Sequence, residues 1–348
     1  MRILQLLTDT NIGGAGVCIE NYLQGRAGGG EVIVGLPKGG KMAPRLRAAG
    51  AQVIELDIAG DVSFSRGDIG AMRRLIKRIR PDIVHSHGCL TGRIAAQLAG
   101  GCKTVYTKHT LGGGGGRAAG LVNAAVTDMA VAVSQAAARE LEAAGLPKKK
   151  LRVVYNGCRP VPEMSRAAAR AAFGLSEDDL VTVCVARLEP VKNHAGLLRG
   201  FEIAAAGREN AKLLLVGGGS LYGKLGGGAI YTGELADITA AYRAADVFAL
   251  VSLSENLPLT LIEAMSAGLP CLVTPVGGVP EVADAGTALF TGRGGDEIAA
   301  GLRQLFEDGD LRARLGAAGR SLWEEKFTVE GYARNLDRVY GELVQRGQ

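Results

Sequence analysis

The sequence predicts an α/β protein of two Rossmann-like domains facing a cleft. Three observations predict it. Short apolar runs alternate with helical patterns, the alternation begins afresh near the middle, and a joint at Asn156–Pro162 rich in Gly and Pro separates the two series. The expected domains are residues 1–158, with a last helix at 329–348 packed back on them, and residues 159–328.

In the first series Ile3–Leu7, Glu31–Gly35, Gln52–Leu56, Asp82–His87, Lys103–Thr107, Met129–Val133 and Arg152–Tyr155 read as strands. Each is brief, bounded by turn residues and rich in Val, Ile or Leu, and runs that are apolar on both faces indicate buried parallel strands. Helical stretches lie between them, among them Ile69–Ile79 and Ser134–Ala144. The second series runs through Leu180–Ala186, Lys212–Val216, Ala229–Tyr231, Asp246–Val251, Cys271–Thr274 and Ala288–Thr291. Helices at Ala195–Ala205, Pro258–Ala267 and Asp296–Phe306 separate these strands. No strand follows the last helix, Val329–Leu343, so it is expected to cross back onto the first domain. In such sheets ligands bind beyond the carboxyl ends of the strands.

Bulk composition narrows the function classes. A chain of 348 residues, 47% hydrophobic and 22% charged, suits two globular domains. Its 52 glycines are about 15% of the chain, twice the usual ~7%. The runs Gly28–Gly30, Gly112–Gly116 and Gly226–Gly228 read as flexible loops or shortened connections. A net charge of +5 with only 5% aromatics argues against nucleic-acid binding. It suits small anionic ligands, or loose peripheral contact with an anionic membrane surface. Six cysteines, Cys18, Cys89, Cys102, Cys158, Cys184 and Cys271, form no CxxC clip. The apolar run at Ile3–Leu7 is too short for a signal peptide, and no stretch approaches the roughly 20 apolar residues of a membrane helix. Reduced cysteines and a cytoplasmic location are expected.

Three segments carry chemistry. Asn11-Ile-Gly-Gly-Ala-Gly16 follows the first strand and opens a helix. Amides at a helix start favour an anion, and glycine permits close approach; a tight turn is the alternative. Arg187-Leu-Glu-Pro-Val-Lys192-Asn193 follows a strand and leads into a helix. Two cations at a strand's carboxyl end can grip a diphosphate from two sides; a solvated loop with Asn193 as helix cap is the alternative. In Ser254-Glu255-Asn-Leu-Pro-Leu-Thr-Leu-Ile-Glu263-Ala-Met, Pro258 suits the first helical turn and Glu255 lies ahead of it. Glu263 falls among Leu261, Ile262, Ala264 and Met265, where a carboxylate needs a partner. A ribose diol or a salt bridge would supply one.

Arg-x4-Lys followed by Glu-x7-Glu ahead of Ala-Met-Ser-Ala-Gly resembles the nucleotide-sugar site of the retaining glycosyltransferases of family 4, which have the two-domain GT-B fold. Other segments agree in order over nearly the whole chain: the early Gly-Gly loop, Pro81-Asp-Ile-Val-His-Ser-His87, Thr107-Lys-His109, Val133-Ser134, Val154-Tyr-Asn-Gly157 and Leu215-Val-Gly-Gly-Gly219. The resemblance implies that Arg187 and Lys192 hold the diphosphate, that Glu263 takes the ribose hydroxyls and that Glu255 contacts the transferred sugar. It implies amides near Asn256, Leu257, Pro258 and Leu259 seating sugar and phosphate, and His109 beside the sugar. Gly13 and Gly14 would bring an amide to the phosphate, and Gly218 would border the nucleotide. Tyr231-Thr232-Gly233-Glu234 resembles the base-binding turn. The implied reaction is a retaining transfer from a UDP- or GDP-sugar to a glycan, lipid-linked or small-molecule acceptor, as in cell-surface polysaccharide assembly. The glycine-filled stretch between Lys224 and Ala229 departs from the family pattern at the edge of the base pocket.

No cofactor beyond the co-substrate is expected. No Asp-x-Asp pair is read in a metal-binding loop, so no divalent cation is expected either. Gly218-Gly-Ser-Leu-Tyr-Gly223-Lys224-Leu225 nearly matches a phosphate loop, but Leu225 has no hydroxyl for magnesium. His85 and His87 point to one face of a strand, with no carboxylate or cysteine to complete a metal site. The basic run Arg73, Arg74, Lys77, Arg78 and Arg80 has helical spacing and reads as a solvated face or a lipid-headgroup contact. The competing functions are an epimerase or phosphorylase on the same scaffold, a non-catalytic sugar-nucleotide-binding protein, and a dinucleotide-dependent oxidoreductase.

Overall fold

The computed structural model describes residues 1–112 and 116–345, without side chains at 117–119. The chain divides into two compact units, Met1–Gly157 with Thr328–Gln348, and Cys158–Phe327.

The first unit is a seven-stranded parallel sheet. Its strands are β1 (Arg2–Leu7), β2 (Glu31–Pro37), β3 (Gln52–Leu56), β4 (Ile83–His87), β5 (Lys103–Lys108), β6 (Met129–Ala132) and β7 (Leu151–Val153), in the spatial order β3-β2-β1-β4-β5-β6-β7. Strands buried on both faces explain the apolar runs: every residue of β6 is buried, as is every residue of β2 after Glu31. The helix Ile69–Ile79 shows why the spacing works. Met72, Leu75, Ile76 and Ile79 fall on one stripe and are buried, while Arg73, Arg74, Lys77 and Arg78 are exposed. Each fully buried Leu or Ile on that stripe contributes about 1.5–3 kcal/mol. Arg80, in the left-handed region at φ 50°, ends the helix.

The helix Val329–Gln345 belongs to this unit. It packs on the helix Gly14–Gly25, where Tyr22 donates to Asp337 at 2.6 Å and meets Tyr340 edge-on at 5.9 Å. The approach requires glycine at position 25, because a Cβ there would lie 2.1 Å from the Val329 carbonyl.

The second unit carries β8 (Leu180–Val185), β9 (Ala211–Val216), β10 (Ile230–Gly233), β11 (Val247–Leu250), β12 (Cys271–Val273) and β13 (Leu289–Phe290), all parallel, in the order β10-β9-β8-β11-β12-β13. Its core joins Leu197, Phe201, Leu213, Leu215, Ala249, Leu272, Leu302 and Phe306. Phe201 meets Phe306 edge-on at 6.3 Å, and truncating either to Ala would cost about 3–5 kcal/mol. Arg170 is buried and donates to the Asp179 carbonyl at 2.8 Å and to Asp246 at 2.9 Å, which secures the helix Arg166–Ala171 to the start of β11.

Both sheets reverse their winding once, between β1 and β4 in the first unit and between β8 and β11 in the second. Loops leaving the carboxyl ends of such a strand pair diverge and open a crevice. Of the predicted functional residues, Gly13 and Gly14 follow β1, Arg187 follows β8 and Glu255 follows β11, while His109 follows β5, one strand beyond the switch pair. The basic face of Ile69–Ile79 runs the other way. Arg2, at the start of β1, donates to the Ile79 carbonyl at 2.7 Å, so Lys77, Arg78 and Arg80 lie toward the amino-terminal edge of the sheet.

The run Gly28–Gly30 lies in a loop. The run Gly226–Gly228 is also in a loop, and it is tied down: Tyr231 on β10 donates its hydroxyl to the Gly226 carbonyl at 2.8 Å. Residues 113–115 of the Gly112–Gly116 run lie outside the described residues. No helix among the described residues is long and apolar enough to cross a membrane.

Candidate active site

The loop after β8 is stitched to its neighbouring strands. The Leu188 amide donates to the Gly218 carbonyl at 2.7 Å, and the Leu253 amide to the Val191 carbonyl at 2.8 Å. Asn193, left-handed at φ 56°, donates its side-chain amide to the carbonyls of Val251 at 3.2 Å and Arg293 at 3.0 Å. It therefore bridges two loops and does not cap the following helix with its side chain, as the sequence alternative supposed.

That stitching delivers Lys192 to Glu255. Lys192 Nζ lies 2.5 Å from Glu255 Oε1, and Ser252 donates to the same oxygen at 2.7 Å. Ser252 is held in turn, its carbonyl accepting from Thr274 at 2.7 Å. Oε2 of Glu255 has no donor among the described residues, so half of this carboxylate stays open to a ligand hydroxyl. Arg187 is exposed, and its guanidinium makes no hydrogen bond or ion pair among the described residues. Lys192 is closely paired with Glu255, while the exposed Arg187 guanidinium has Glu189 near it only at longer range and is left to meet an anion.

The helix Leu259–Ser266 adds to this bias. It starts one residue later than expected, with Pro258 at the capping position and extended at ψ 112°. Its first-turn amides, from Leu259 onward, have no acceptor within the helix. Asn256 and Leu257 are buried in the loop ahead of it. Glu263 is half-buried on this helix and accepts from the Tyr242 hydroxyl at 2.8 Å. Burial, and then the Glu263 charge, push the Tyr242 hydroxyl well above its usual range, so it remains a donor. The partner that Glu263 requires is therefore partly a tyrosine, which neither sequence alternative named.

Gly217 and Gly219 adopt φ 140° and 144°, and a Cβ on Gly217 would lie 2.1 Å from the Ala186 carbonyl. This packs the turn after β9 against the Arg187 loop. The Gly217 amide donates to the Gly233 carbonyl at 2.9 Å, and a Cβ on Gly218 would lie 2.9 Å from Glu234. Gly218, Thr232, Gly233 and Glu234 are thereby brought together. Glu189, between Arg187 and Lys192, accepts from the Ser220 amide at 3.0 Å and hydroxyl at 2.6 Å, which closes the loop.

The first unit gathers different chemistry. His109 follows β5, and its Nε2 lies 2.7 Å from His87 Nδ1 with the rings stacked. His87 Nε2 lies 2.6 Å from Gln5 Oε1, Gln5 Nε2 donates to Tyr340 at 3.1 Å, and His85 lies 2.6 Å from both Tyr340 and Thr107. Burial pushes His85 down to about 3 and His109 to about 4, and holds His87 well below its ordinary value, so the three rings are neutral. Gly13 caps the helix Gly14–Gly25, and a Cβ built on Gly14 would meet nothing within 4 Å. His109 bonds to His87 and makes no bond to this turn.

The sequence model described as Glycosyl transferases group 1 matches residues 165–322, and that described as Glycosyltransferase Family 4 matches residues 12–160. D-inositol 3-phosphate glycosyltransferase of Streptomyces scabiei is 30% identical over 311 residues, covering 74% of this chain and 67% of that protein. The chain belongs to the family 4 glycosyltransferases. N-acetyl-alpha-D-glucosaminyl L-malate synthase of Bacillus anthracis is 26% identical over 298 residues, covering 79% of this chain and 78% of that protein. In fold this GT-B glycosyltransferase resembles Alr3699/HepE of Anabaena, solved in complex with UDP and glucose, with a TM-score of 0.85 at 20% identity over 98% of this chain and 99% of that one. Sucrose-phosphate synthase of Thermosynechococcus elongatus matches with a TM-score of 0.81 at 18% identity over 99% and 100% of the two chains.

Sequence reasoning on this glycosyltransferase missed Gln5, Tyr340, Ser252 and Tyr242. Ser252 alone left a signal, being a polar residue at the carboxyl end of an apolar strand. Gln5 and Tyr340 are 335 residues apart, and only the return of the last helix joins them. An Asp-x-Asp spacing does occur, at Asp308 and Asp310, but Asp308 caps the helix Gly309–Lys326 by accepting from the Leu311 amide at 2.8 Å. Among the described residues no cluster of three His, Cys, Asp or Glu could hold a metal ion.

Proposed function

We propose that this glycosyltransferase moves a hexose from a UDP-sugar to a hydroxyl of a small anionic acceptor, with retention of configuration and without a divalent cation. The observation that carries the reading is the Lys192–Glu255 pair, on the same loop as an exposed Arg187 that makes no hydrogen bond or ion pair among the described residues, at the switch point of the second sheet. Breaking the anomeric carbon–oxygen bond sends an electron pair onto the diphosphate. Arg187 and Lys192 are the groups to absorb it, each such preorganised contact being worth about 2.7–4 kcal/mol. Glu255 shares Oε1 with Lys192 and Ser252 and offers Oε2 to sugar hydroxyls. Glu263, steadied by Tyr242, takes the ribose hydroxyls, and the Leu259 helix start receives the phosphate.

Gly218 and the Thr232–Glu234 turn border the base, while Gly13, Gly14 and His109 serve the sugar and phosphate from the first unit. The HepE structures with UDP and UDP-glucose support uridine as the base. Relatives named for L-malate and inositol 3-phosphate products or substrates support a small anionic acceptor. Retention follows if the acceptor hydroxyl attacks from the face the diphosphate leaves, passing its proton to the departing phosphate oxygen; NMR of the new linkage would reject this by showing an inverted anomer. Lys77, Arg78 and Arg80 lie toward the opposite edge of their sheet, so any contact they make with anionic lipid is separate from transfer.

A thermal-shift panel of UDP, GDP, ADP and TDP with and without magnesium tests the donor. Ligand at 100 times Kd stabilises by about 2.7 kcal/mol. UDP is expected to stabilise without magnesium. No shift from any nucleotide would overturn the donor assignment, and a shift only with GDP would reassign the base.

A further inference from the structure

The buried polar chain in the first unit has a direction. Gln5 donates its amide nitrogen to Tyr340, so its oxygen faces His87 Nε2 at 2.6 Å. An oxygen acceptor there requires a proton on His87 Nε2. A neutral His87 then has only a lone pair at Nδ1, and His109 Nε2, 2.7 Å away, must carry the proton between them. A neutral His109 so fixed is left with a bare Nδ1. No protein donor among the described residues reaches that nitrogen, and the ring is half-buried. The far end of the chain is satisfied too: Tyr340 donates to His85 Nδ1, and His85 Nε2–H donates to Thr107, each at 2.6 Å. Each of these donors meets an acceptor, and the one acceptor left without a donor in the row is Nδ1 of His109.

We propose that Gln5, His87 and Tyr340 are positioning residues that hold His109 in its neutral Nε2–H tautomer, so that His109 Nδ1 accepts a hydrogen bond from a hydroxyl of the transferred sugar. The second half rests on the placement of His109 beside the sugar, and the first half does not. The last helix thereby acquires a role in the site, because Tyr340 is carried on it. A fixed tautomer selects for sugars that present a donor at that point, since a substrate lacking the hydroxyl leaves the nitrogen unpaired.

The experiment is 15N NMR of the full chain labelled at histidine, with His109→Asn used to assign the His109 signals. The expected spectrum shows His109 Nε2 protonated and Nδ1 bare. Tyr340→Phe and Gln5→Leu should convert it to a mixture of tautomers, with kcat lowered about tenfold and UDP affinity unchanged. Saturating UDP-glucose should move the Nδ1 resonance, and UDP alone should not. A wild-type His109 protonated at Nδ1 overturns the proposal without recourse to any variant. So does a wild-type tautomer retained in both variants, and an Nδ1 resonance unmoved by UDP-glucose overturns the sugar contact. An unaltered rate in His109→Ala would instead defeat the placement of His109 beside the sugar while leaving the tautomer result standing.

Discussion

The two units solve the same topological problem with opposite chemistry. At its switch point the second unit displays charge: an exposed Arg187, and Lys192 paired with Glu255 at 2.5 Å. The first unit hides neutral polarity: Gln5, His85, His87 and Tyr340 are buried and linked in a row that ends on half-buried His109. On the proposed function, the contrast follows from what each is to bind. A diphosphate carries charge that fixed cations must meet. A sugar carries only hydroxyls, which are discriminated by single, well-oriented hydrogen-bonding atoms. One half should therefore answer to charge deletion, the other to geometry and protonation.

The largest effect should come from the charged half. Arg187→Ala and Lys192→Ala are each expected to lower turnover by about 100-fold or more, in steady-state kinetics at saturating donor. Full activity in both would erase the distinction between the halves. Next is Glu263→Ala, expected to weaken UDP binding about tenfold in calorimetry with no sugar present, with Tyr242→Phe weaker in the same direction. An effect confined to sugar-bearing donors would move Glu263 off the ribose.

The histidines should govern pH. Burial lowers His85 to about 3 and both His109 and His194 to about 4, with His87 well below its ordinary value. The unfolded chain takes up protons near pH 6.5 and the folded chain does not, so stability is full above that pH and falls as pH drops toward 4. Each histidine contributes up to about 1.4 kcal/mol per pH unit in that window. Tm should fall between pH 7 and 5, and a flat or rising Tm would contradict the neutral state. The smallest effect is Gly14→Ala. Open space around a Cβ there, in a helix, should leave Tm unchanged or raised by up to about 1 kcal/mol in stability. Donor kcat/KM should nonetheless fall as the methyl group blocks the phosphate. Unchanged kinetics would remove Gly14 from the site.

The charged half was legible in sequence because its residues are local. Arg187 and Lys192 are five positions apart, Glu255 and Glu263 eight, and each pair borders a strand whose apolar run marks its end. Most strands were legible for the same reason: burial on both faces favours Val, Ile, Leu and Ala, with β4 and its buried His85, Ser86 and His87 the exception. The neutral half was not. Gln5 reads as an interruption of an apolar strand, and Tyr340 as one more aromatic on an amphipathic helix. His85 and His87 were read as part of a family segment and weighed as metal ligands, with no partner in the fold assigned to them. Their partners meet them through sheet order and a returning helix, neither of which has a local signature. The ion pair between Lys192 and Glu255 was hidden too, because the loop that joins them is held by backbone bonds such as that of Leu253 to Val191.

The most direct test is the initial rate of sugar transfer from UDP-glucose, or the nucleotide sugar that stabilises the protein, in excess EDTA, for the wild type and for Arg187→Ala/Lys192→Ala. A wild-type rate that persists in EDTA, with the double variant at least about 100-fold slower while still binding UDP, is the result predicted. A wild-type rate abolished by EDTA and restored by magnesium, or a double variant as fast as the wild type, would contradict the claim that these two cations carry the charge of the leaving diphosphate.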